Sequence, residues 1–347
     1  MYHKEIKAHE NKKSCKQIIA VTMATSRQGL SVVEQLSESG KYHIRAITRN
    51  TKSTKALAIG SLPNVKLIKG DLTDQSSLKA AFKDVDVIFG NTTPTKGWKI
   101  FRGSIVRDYE IQQGLNLINE VKNAYSKGKL NHFIFSSICK PKIPLYNDPA
   151  PGHFTSKWDI EQYLENEGLS KITTIIRPVS YYENFENKIP GYSISKTIFP
   201  GIVGKDFKWQ TIAVNDVGKW VNGILSRPQE YKNQSINIAS EELTGAEMAK
   251  TLEKVVEDEG LKTKYLMIPR IAIKLLENDI GIMADWIERT GYGANMKELK
   301  RIQKELGIIP TSLESWLKIK LNKQKSTLNI RNNNWKVNTL NLQLDKQ

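Results

Sequence analysis

From Ile18 to Gly29 the chain runs through an apolar strand into Thr22-Met23-Ala24-Thr25-Ser26-Arg27-Gln28-Gly29 and then a helix. Backbone N–H groups in such a turn, together with the helix N-terminus, can hold a phosphate. Farther on, Arg49 follows a second strand, at the place where a carboxylate would take a ribose 2′-hydroxyl. A cation there suits a 2′-phosphate instead, and Lys52 can add a second charge. Asp71-Leu72 follow the third strand, and Gly90-Asn91-Thr92 close the fourth, where open α/β sheets bind ligands. A histidine's unperturbed pKa lies near neutrality, so His153 can relay a proton, and Lys157 lies one helical turn away. Each feature also has a plain structural use. Arg49-Asn50-Thr51-Lys52-Ser53 can be a solvated basic turn, Asp71 a helix cap and the 90–92 turn a polar strand end. His153 can be a cap or packing residue, and Lys157 a surface lysine.

Hydrophobic periodicity supplies the elements that must position these residues. Leu30, Val33 and Leu36 mark a helix over Arg27–Ser39, stopped by Gly40. Strands are expected at His43–Thr48, Val65–Lys69, Val85–Phe89, His132–Ser137 and Ile172–Ile176. Helices are expected at Gln75–Phe82, capped by Asp74, near Val106–Ser126 and at Thr155–Glu167. A loop through Lys96-Gly97-Trp98 precedes the long helix. The alternation predicts an α/β fold, a Rossmann-type doubly wound parallel sheet of about six strands, with a smaller, mainly helical C-terminal lobe. The expected boundaries are a basic tail 1–16, a nucleotide-binding domain 17–178, and a lobe 179–320 with elements returning to the sheet. A basic, Asn- and Lys-rich tail 321–347 is expected to be disordered. Within the lobe a helix is expected near Asp216–Leu225, a strand near Ser235–Ala239, and mainly helix from Ala246 to Leu317.

The 347 residues carry a formal net charge of +16. Lys318–Gln347 holds seven basic residues against one acidic, and Met1–Lys16 five against two, so about nine of those charges sit at the ends. Solvated tails account for most of the excess, and specific nucleic-acid binding is not expected. Cys15 and Cys139 lack metal-ligand spacing, so two reduced thiols and no metal site are expected. No run approaches the roughly 20 apolar residues that span a bilayer, and the N-terminal apolar run is too short for a signal peptide. The chain therefore reads as a soluble, cytoplasmic protein without a membrane partner.

The order Ala24-Thr25-x-x-Gln28-Gly29, Arg45-Ala46-x-x-Arg49, Gly70-Asp71-Leu72, Phe135-Ser136-Ser137, His153-Phe154-x-x-Lys157 and Arg177-Pro178-x-x-Tyr181-Tyr182-Glu183-Asn184 resembles the NmrA-like family of atypical short-chain dehydrogenases. The likeness runs from about Gln17 through Gly291-Tyr292-Gly293 to Ser312–Leu317. The family's loop, Gly-Ala-Thr-Gly-x-Gln-Gly, maps onto Met23–Gly29, with Met23 and Ser26 in place of two glycines. Ser26 can cap the helix or bond a phosphate oxygen, whereas Met23 is expected to narrow the cradle. A vestigial loop that binds no nucleotide is the alternative.

The resemblance implies NADP(H) as cofactor. It places Asp71 and Leu72 near the adenine, Gly90-Asn91-Thr92 against the cofactor, and Gln112 where some members carry a lysine. It also implies Lys157 on the nicotinamide ribose and Tyr181-Tyr182-Glu183-Asn184 capping the nicotinamide; the aromatic pair can equally pack the lobe onto the sheet. Active short-chain dehydrogenases use Tyr-x-x-x-Lys with a serine, here Ser136 or Ser137. This chain has His153 for the tyrosine; Tyr146 and Tyr163 lie at the wrong spacing. The resemblance therefore implies an NADP(H)-binding redox sensor or regulator, with a regulatory protein partner, a homodimer left open, and a place in the nucleus as well as the cytoplasm. A weak NADPH-dependent reductase of a small carbonyl or quinone and a nucleic-acid-associated corepressor are the alternatives.

Overall fold

Two stretches without a single exposed position, Val87–Asn91 and His132–Ser136, are buried on both faces and so lie at the centre of a sheet. The computed structural model describes residues 16–94, 103–139, 151–186, 194–276 and 278–322. In chain order the first part comprises β1 (Gln17–Val21), α1 (Arg27–Ser39), β2 (Tyr42–Thr48), α2 (Thr54–Gly60), β3 (Val65–Lys69) and α3 (Gln75–Ala81). It continues with β4 (Val87–Asn91), α4 (Gly103–Ser126), β5 (His132–Ser136), α5 (Gly152–Asn166) and β6 (Thr173–Pro178). The second part comprises β7 (Ser180–Tyr181), β8 (Ile198–Gly201), β9 (Trp209–Ile212), α6 (Val214–Ser226), α7 (Pro228–Tyr231), β10 (Gln234–Ile238) and β11 (Glu241–Leu243). Then follow α8 (Gly245–Val255), β12 (Lys264–Met267), α9 (Arg270–Leu276), α10 (Asn278–Thr290), α11 (Met296–Leu306) and a helical stretch over 313–322.

The main sheet has seven strands in the order β10-β6-β5-β4-β1-β2-β3, all paired in parallel. The seventh strand is β10, the segment expected near Ser235–Ala239, which returns from the lobe to pair with β6. Because the chain moves outward from β1 to β3 and then crosses back to β4, the strand order reverses between β1 and β4. A crevice opens there, outside the carboxyl ends of the strands.

The expected fourth strand is displaced toward its C-terminus. Asp84 takes a left-handed φ of 57° in the turn before it, and the Asp86 carboxylate accepts the Ile18 N–H at 2.7 Å. Helix α2, for which the sequence gives no expectation, follows directly on the basic turn Arg49–Ser53. Ser53 caps it, its Oγ accepting from the Ala56 N–H, and Ala56 and Ile59 are its buried residues.

One face of the sheet packs on α3, α4 and α5 through Leu78, Leu117, Ile118, Ile160 and Leu164. The other packs on α1 and α6, and the same buried cluster extends without interruption from Ile19 to Leu317 in the lobe. Helices α1 and α6 touch closely: the Ser31 hydroxyl donates to the Asn215 carbonyl at 2.9 Å and accepts the Gly218 N–H at 2.9 Å. A Cβ at Gly218 would lie 2.2 Å from the Ser31 carbonyl oxygen, so only glycine allows this approach. The lobe adds the small sheets β11-β9-β7 and β12-β8. Phe185 packs edge-on against Phe199 and Trp209 at its centre. No helix among the described residues is long and apolar enough to cross a membrane.

Candidate functional site

The loop between β1 and α1 is fastened on both sides of the crevice. Thr22 N–H donates to the Phe89 carbonyl at 3.0 Å and Ala24 N–H to the Ile47 carbonyl at 2.9 Å. Met23 turns the chain with a left-handed φ of 48°, the conformation a glycine takes at no steric cost, and its carbonyl accepts the Ser26 N–H. Ser26 is the N-cap of α1, its Oγ accepting the Gly29 N–H at 3.0 Å. Gly29 is required because a Cβ there would stand 2.2 Å from the Met23 carbonyl oxygen. The first turn of α1 thus keeps further N–H groups directed out of the helix end.

The crevice forms two cavities that share Met23, Ser26 and Thr93 as walls. The outer one, about 240 Å³, brings together Thr25, Ser26, Arg49, Asp71 and Leu72. Arg49 is exposed at its edge. Asn50, Thr51, Lys52 and Ser53 are not among its walls. Asn50 Oδ1 accepts the Lys52 N–H in a side-chain turn, and Ser53 is committed to capping α2. Gln112 is also off the site: it is exposed and bonds Asn116, while the next residue, Gln113, is buried and lines the outer cavity with Tyr109. Gln113 holds both the N–H and the carbonyl of Thr93, at 3.3 and 2.9 Å.

The inner cavity, about 380 Å³, gathers Arg27, Gln28, Asn91, Thr92, Ser137, His153, Lys157, Tyr181 and Asn184 from widely separated parts of the chain. Lys157 is no surface lysine. Its Nζ lies 2.8 Å from Thr92 Oγ1, 3.2 Å from the carbonyls of Thr92 and Ser136, 3.3 Å from Asn91 Oδ1 and 3.3 Å from Glu110 Oε1. Burial pushes the ammonium pKa down, and Glu110, whose side chain is fully buried, opposes that shift. Glu110 is completed by hydrogen bonds from Thr92 Oγ1 at 2.9 Å and Ser156 Oγ at 2.5 Å.

His153 sits in the first turn of α5, with Nδ1 2.5 Å from Asp279 Oδ2 of α10. The other Asp279 oxygen accepts the Gly152 N–H at 3.0 Å and so caps α5, which has no side-chain cap of its own. Burial pushes the Asp279 carboxyl up, but the hydrogen bond and charge of His153 outweigh it and hold the group below the usual carboxylate range. Ser136 Oγ donates to Gln28 Oε1 at 2.7 Å, and Gln28 also bonds Tyr181, whose phenol is pushed up by burial. Ser137 Oγ is buried without a hydrogen-bond partner, in a wall of the inner cavity.

Four more expected site residues go elsewhere. The Tyr182 side chain is fully buried inside the lobe, bonding Glu241 at 2.9 Å and packing against Trp316. Glu183 joins elements of the lobe, its carboxylate accepting from Val214 N–H and Trp316 Nε1. Ala24 is fully buried in the core, and Gly90 is a packing glycine whose Cβ would meet Phe133 at 2.7 Å. Tyr163 bonds Asn119, and Tyr146 lies outside the described residues. Sequence reasoning missed Glu110, Gln113, Asp279 and, as a cavity wall, Tyr292. For two of these a signal exists, since Glu110 and Gln113 fall on the same helical stripe as Leu117 and Val121 and so had to face inward.

A dinucleotide suits this crevice. A helix N-terminus faces its middle, a cation stands at its outer end, and an orphaned hydroxyl at its inner end calls for a polar ligand group. The profile of the NmrA-like family matches residues 15–323. The chain is 26% identical over 274 residues to the nitrogen metabolite repression protein nmrA of Emericella nidulans, covering 75% of this chain and 70% of that protein. It is 24% identical over 269 residues to the NmrA-like family domain-containing oxidoreductase lnbB of Aspergillus flavus, covering 72% and 76%.

Among solved structures, NmrA, a negative transcriptional regulator in complex with NADP, superposes with a TM-score of 0.67 at 21% identity, covering 87% of this chain and 94% of that one. An NADPH-dependent quinone oxidoreductase from Escherichia coli complexed with NADPH also gives 0.67 at 21% identity, covering 87% and 99%. With the motif order, the reversed strand order and a family match across nearly the whole described structure all in agreement, the chain belongs to the NmrA-like family.

Proposed function

We propose that this protein binds NADP(H) in the crevice and works as a regulatory protein that responds to the cofactor, without the tyrosine-based chemistry of short-chain dehydrogenases. The observation that carries this reading is Arg49 in the wall of the outer cavity, at the end of β2, with no carboxylate in its place. A guanidinium there pairs with a 2′-phosphate, and the α1 N-terminus takes the pyrophosphate. The NADP-bound relative of the same fold supports it.

Two further facts favour regulation over turnover. The tyrosine position is filled by a histidine tied to Asp279, and the Lys157 ammonium already has five acceptors within 3.3 Å. When bound, the cofactor supplies a nicotinamide that exists oxidised or reduced. The two forms influence the protein only through different affinities for its conformations. Calorimetric titration of NADPH, NADP and NADH into wild type and Arg49→Glu tests the reading. Tight NADP(H) binding that is lost in the variant is the expected result, and no binding by wild type overturns it.

A second reading, an NADPH-dependent reductase of a small carbonyl or quinone, is favoured by the His153–Asp279 pair and the orphaned Ser137 hydroxyl in one cavity. NADPH consumption across a panel of such compounds, abolished by His153→Ala, would establish it in place of the first.

A further inference from the structure

A groove of about 560 Å³ shares no wall with the crevice and is formed by α1, α6 and the stretch 306–319. Gly223, Leu306, Ile308 and Pro310 are apolar walls, and Ile309 and Ile319 line it while remaining 80% and 55% exposed. Lys219 is the charged residue among the walls, and its Nζ is already held by Asp216 Oδ1 at 2.7 Å, the Ile309 carbonyl at 2.8 Å and Thr311 Oγ1 at 3.1 Å. Asn222 lines the groove as well, and its Oδ1 is buried without a hydrogen-bond partner among the described residues. A buried amide oxygen calls for a donor. The groove therefore suits an occupant that is apolar, uncharged and able to bring an N–H.

The chain carries such a segment within reach. Ile319 belongs to the helical stretch over 313–322, and the described residues end three positions later, at Asn322, within about 5 Å along the helix axis. Of the residues that follow, Lys323, Lys325, Arg331, Lys336, Asp345 and Lys346 are charged, and Val337–Leu344 is the longest run without a charge. In that run Leu340, Leu342 and Leu344 alternate with Asn341 and Gln343, a period that puts the three leucines on one face of an extended segment. Fifteen positions separate Val337 from Asn322. A chain of that length reaches roughly 50 Å when extended and about 20 Å as a coil, so the return to a groove beside its own starting point is short.

We propose that Val337–Leu344 of the same chain docks in this groove as an extended segment, its leucines against Gly223, Leu306 and Ile308 and one of its backbone N–H groups donating to Asn222 Oδ1. Docking ties the C-terminal segment to α1 and α6, the two helices already joined through Ser31, and so braces the junction that holds the α1 N-terminus at the crevice. A second copy of the chain carries the same segment. Tethering favours the chain's own, because a flexible link of this length gives an effective concentration of about a millimolar, far above that of a micromolar protein solution.

The experiment is amide hydrogen exchange, read by mass spectrometry, on the full-length chain as wild type, as a groove variant carrying Ile309→Asp and Ile319→Asp, and as the segment variant Leu342→Asp. Both isoleucines are exposed, so the groove variant is expected to fold, which circular dichroism checks. In wild type the amides of 337–344 are expected to exchange more slowly than those of 324–334, on the order of tenfold after correction for sequence. Either variant should abolish that difference, and combining them should add nothing further. The protection should also stay the same on tenfold dilution, with light scattering recorded alongside. Uniformly fast exchange from 324 to 344 in wild type overturns the proposal, as does protection that survives in the groove variant. Protection that fades on dilution overturns docking within one chain and assigns the groove to the segment of a second copy.

Discussion

Met23 does what a glycine does at the equivalent position, turning the chain with a positive φ, and it bears the cost of its Cβ in that conformation, about 1–2 kcal/mol. Its side chain lines both cavities and packs half-buried against the cluster on the α3–α5 face. Met23→Gly therefore relieves strain but loses packing and adds unfolded-state entropy, so the denaturant midpoint should move little. Cofactor affinity should rise several-fold in the same variant, because the thioether no longer stands between the two cavities. Calorimetry beside a denaturant titration checks both, and an affinity that falls would show that the methionine contributes contacts instead of obstructing. Ser26, by contrast, replaces its glycine without strain, since a helix N-cap is extended and prefers serine.

At the level of elements, the site depends on two junctions. The first is the α1–α6 contact, which fixes the helix whose N-terminus faces the crevice. Gly218→Ala places a methyl carbon against the Ser31 carbonyl and should cost about 1–3 kcal/mol, measured as a lowered denaturation midpoint with an unchanged m-value. The second is the clasp of α10 on α5 through Asp279 and His153. Because the folded-state pKa of Asp279 lies below its unfolded value, its contribution to stability is present above the unfolded value, near pH 4, and is lost as pH falls through the folded one. Asp279→Asn should accordingly be less stable than wild type at pH 7, and the difference should shrink below pH 4. Thermal melts of the pair across pH 2.5 to 7 would show it, and a constant gap would mean that the carboxylate charge is not what holds the clasp.

The whole molecule has its own acid sensitivity, rooted in the centre of the sheet. His132 is fully buried in β5, its Nε2 2.8 Å from Thr174 Oγ1, and desolvation with the charge of Lys232 lowers its pKa to about 4. The unfolded chain binds a proton there near pH 6.5 and the folded chain only near 4. Stability should therefore fall as pH drops from 6.5 toward 4, by up to about 3 kcal/mol from this residue. Replacing His132 with Gln should flatten that part of the profile, and a wild-type profile already flat between pH 4 and 6.5 would contradict the assignment. The uninterrupted core from Ile19 to Leu317 also makes the lobe part of the cooperative unit. Unfolding followed by near-ultraviolet and far-ultraviolet signals should coincide.

Much of this architecture is local and was readable from the chain alone. A 3.6-residue period with Gly40 beyond it bounds α1, Asp74 caps α3, and β3 falls where its apolar run stands between turn signals. The same locality explains why the β1–α1 loop, Arg49, Asp71 and Asn91 are expected together: strand ends in a parallel sheet converge on one edge, whatever the details of packing, whereas Lys157 lies on α5 and is expected there only through the family motif. Tyr181 ends β7 and Tyr182 opens a tight helical turn, and the chain alone does not say which of the two reaches the cavity. That choice was made by the lobe, which buries Tyr182 against Trp316. Gln113 replaces Gln112 because helix rotation is set by what α4 packs against. Asp279 meets His153 across 126 residues, and Glu110 meets Ser156 across 46, contacts for which no short-range pattern exists. The identity of the chemical groups was thus written in the chain, while their pairing, and with it the charge of the site, arises only when distant helices bury them together, where an unpaired charge cannot persist.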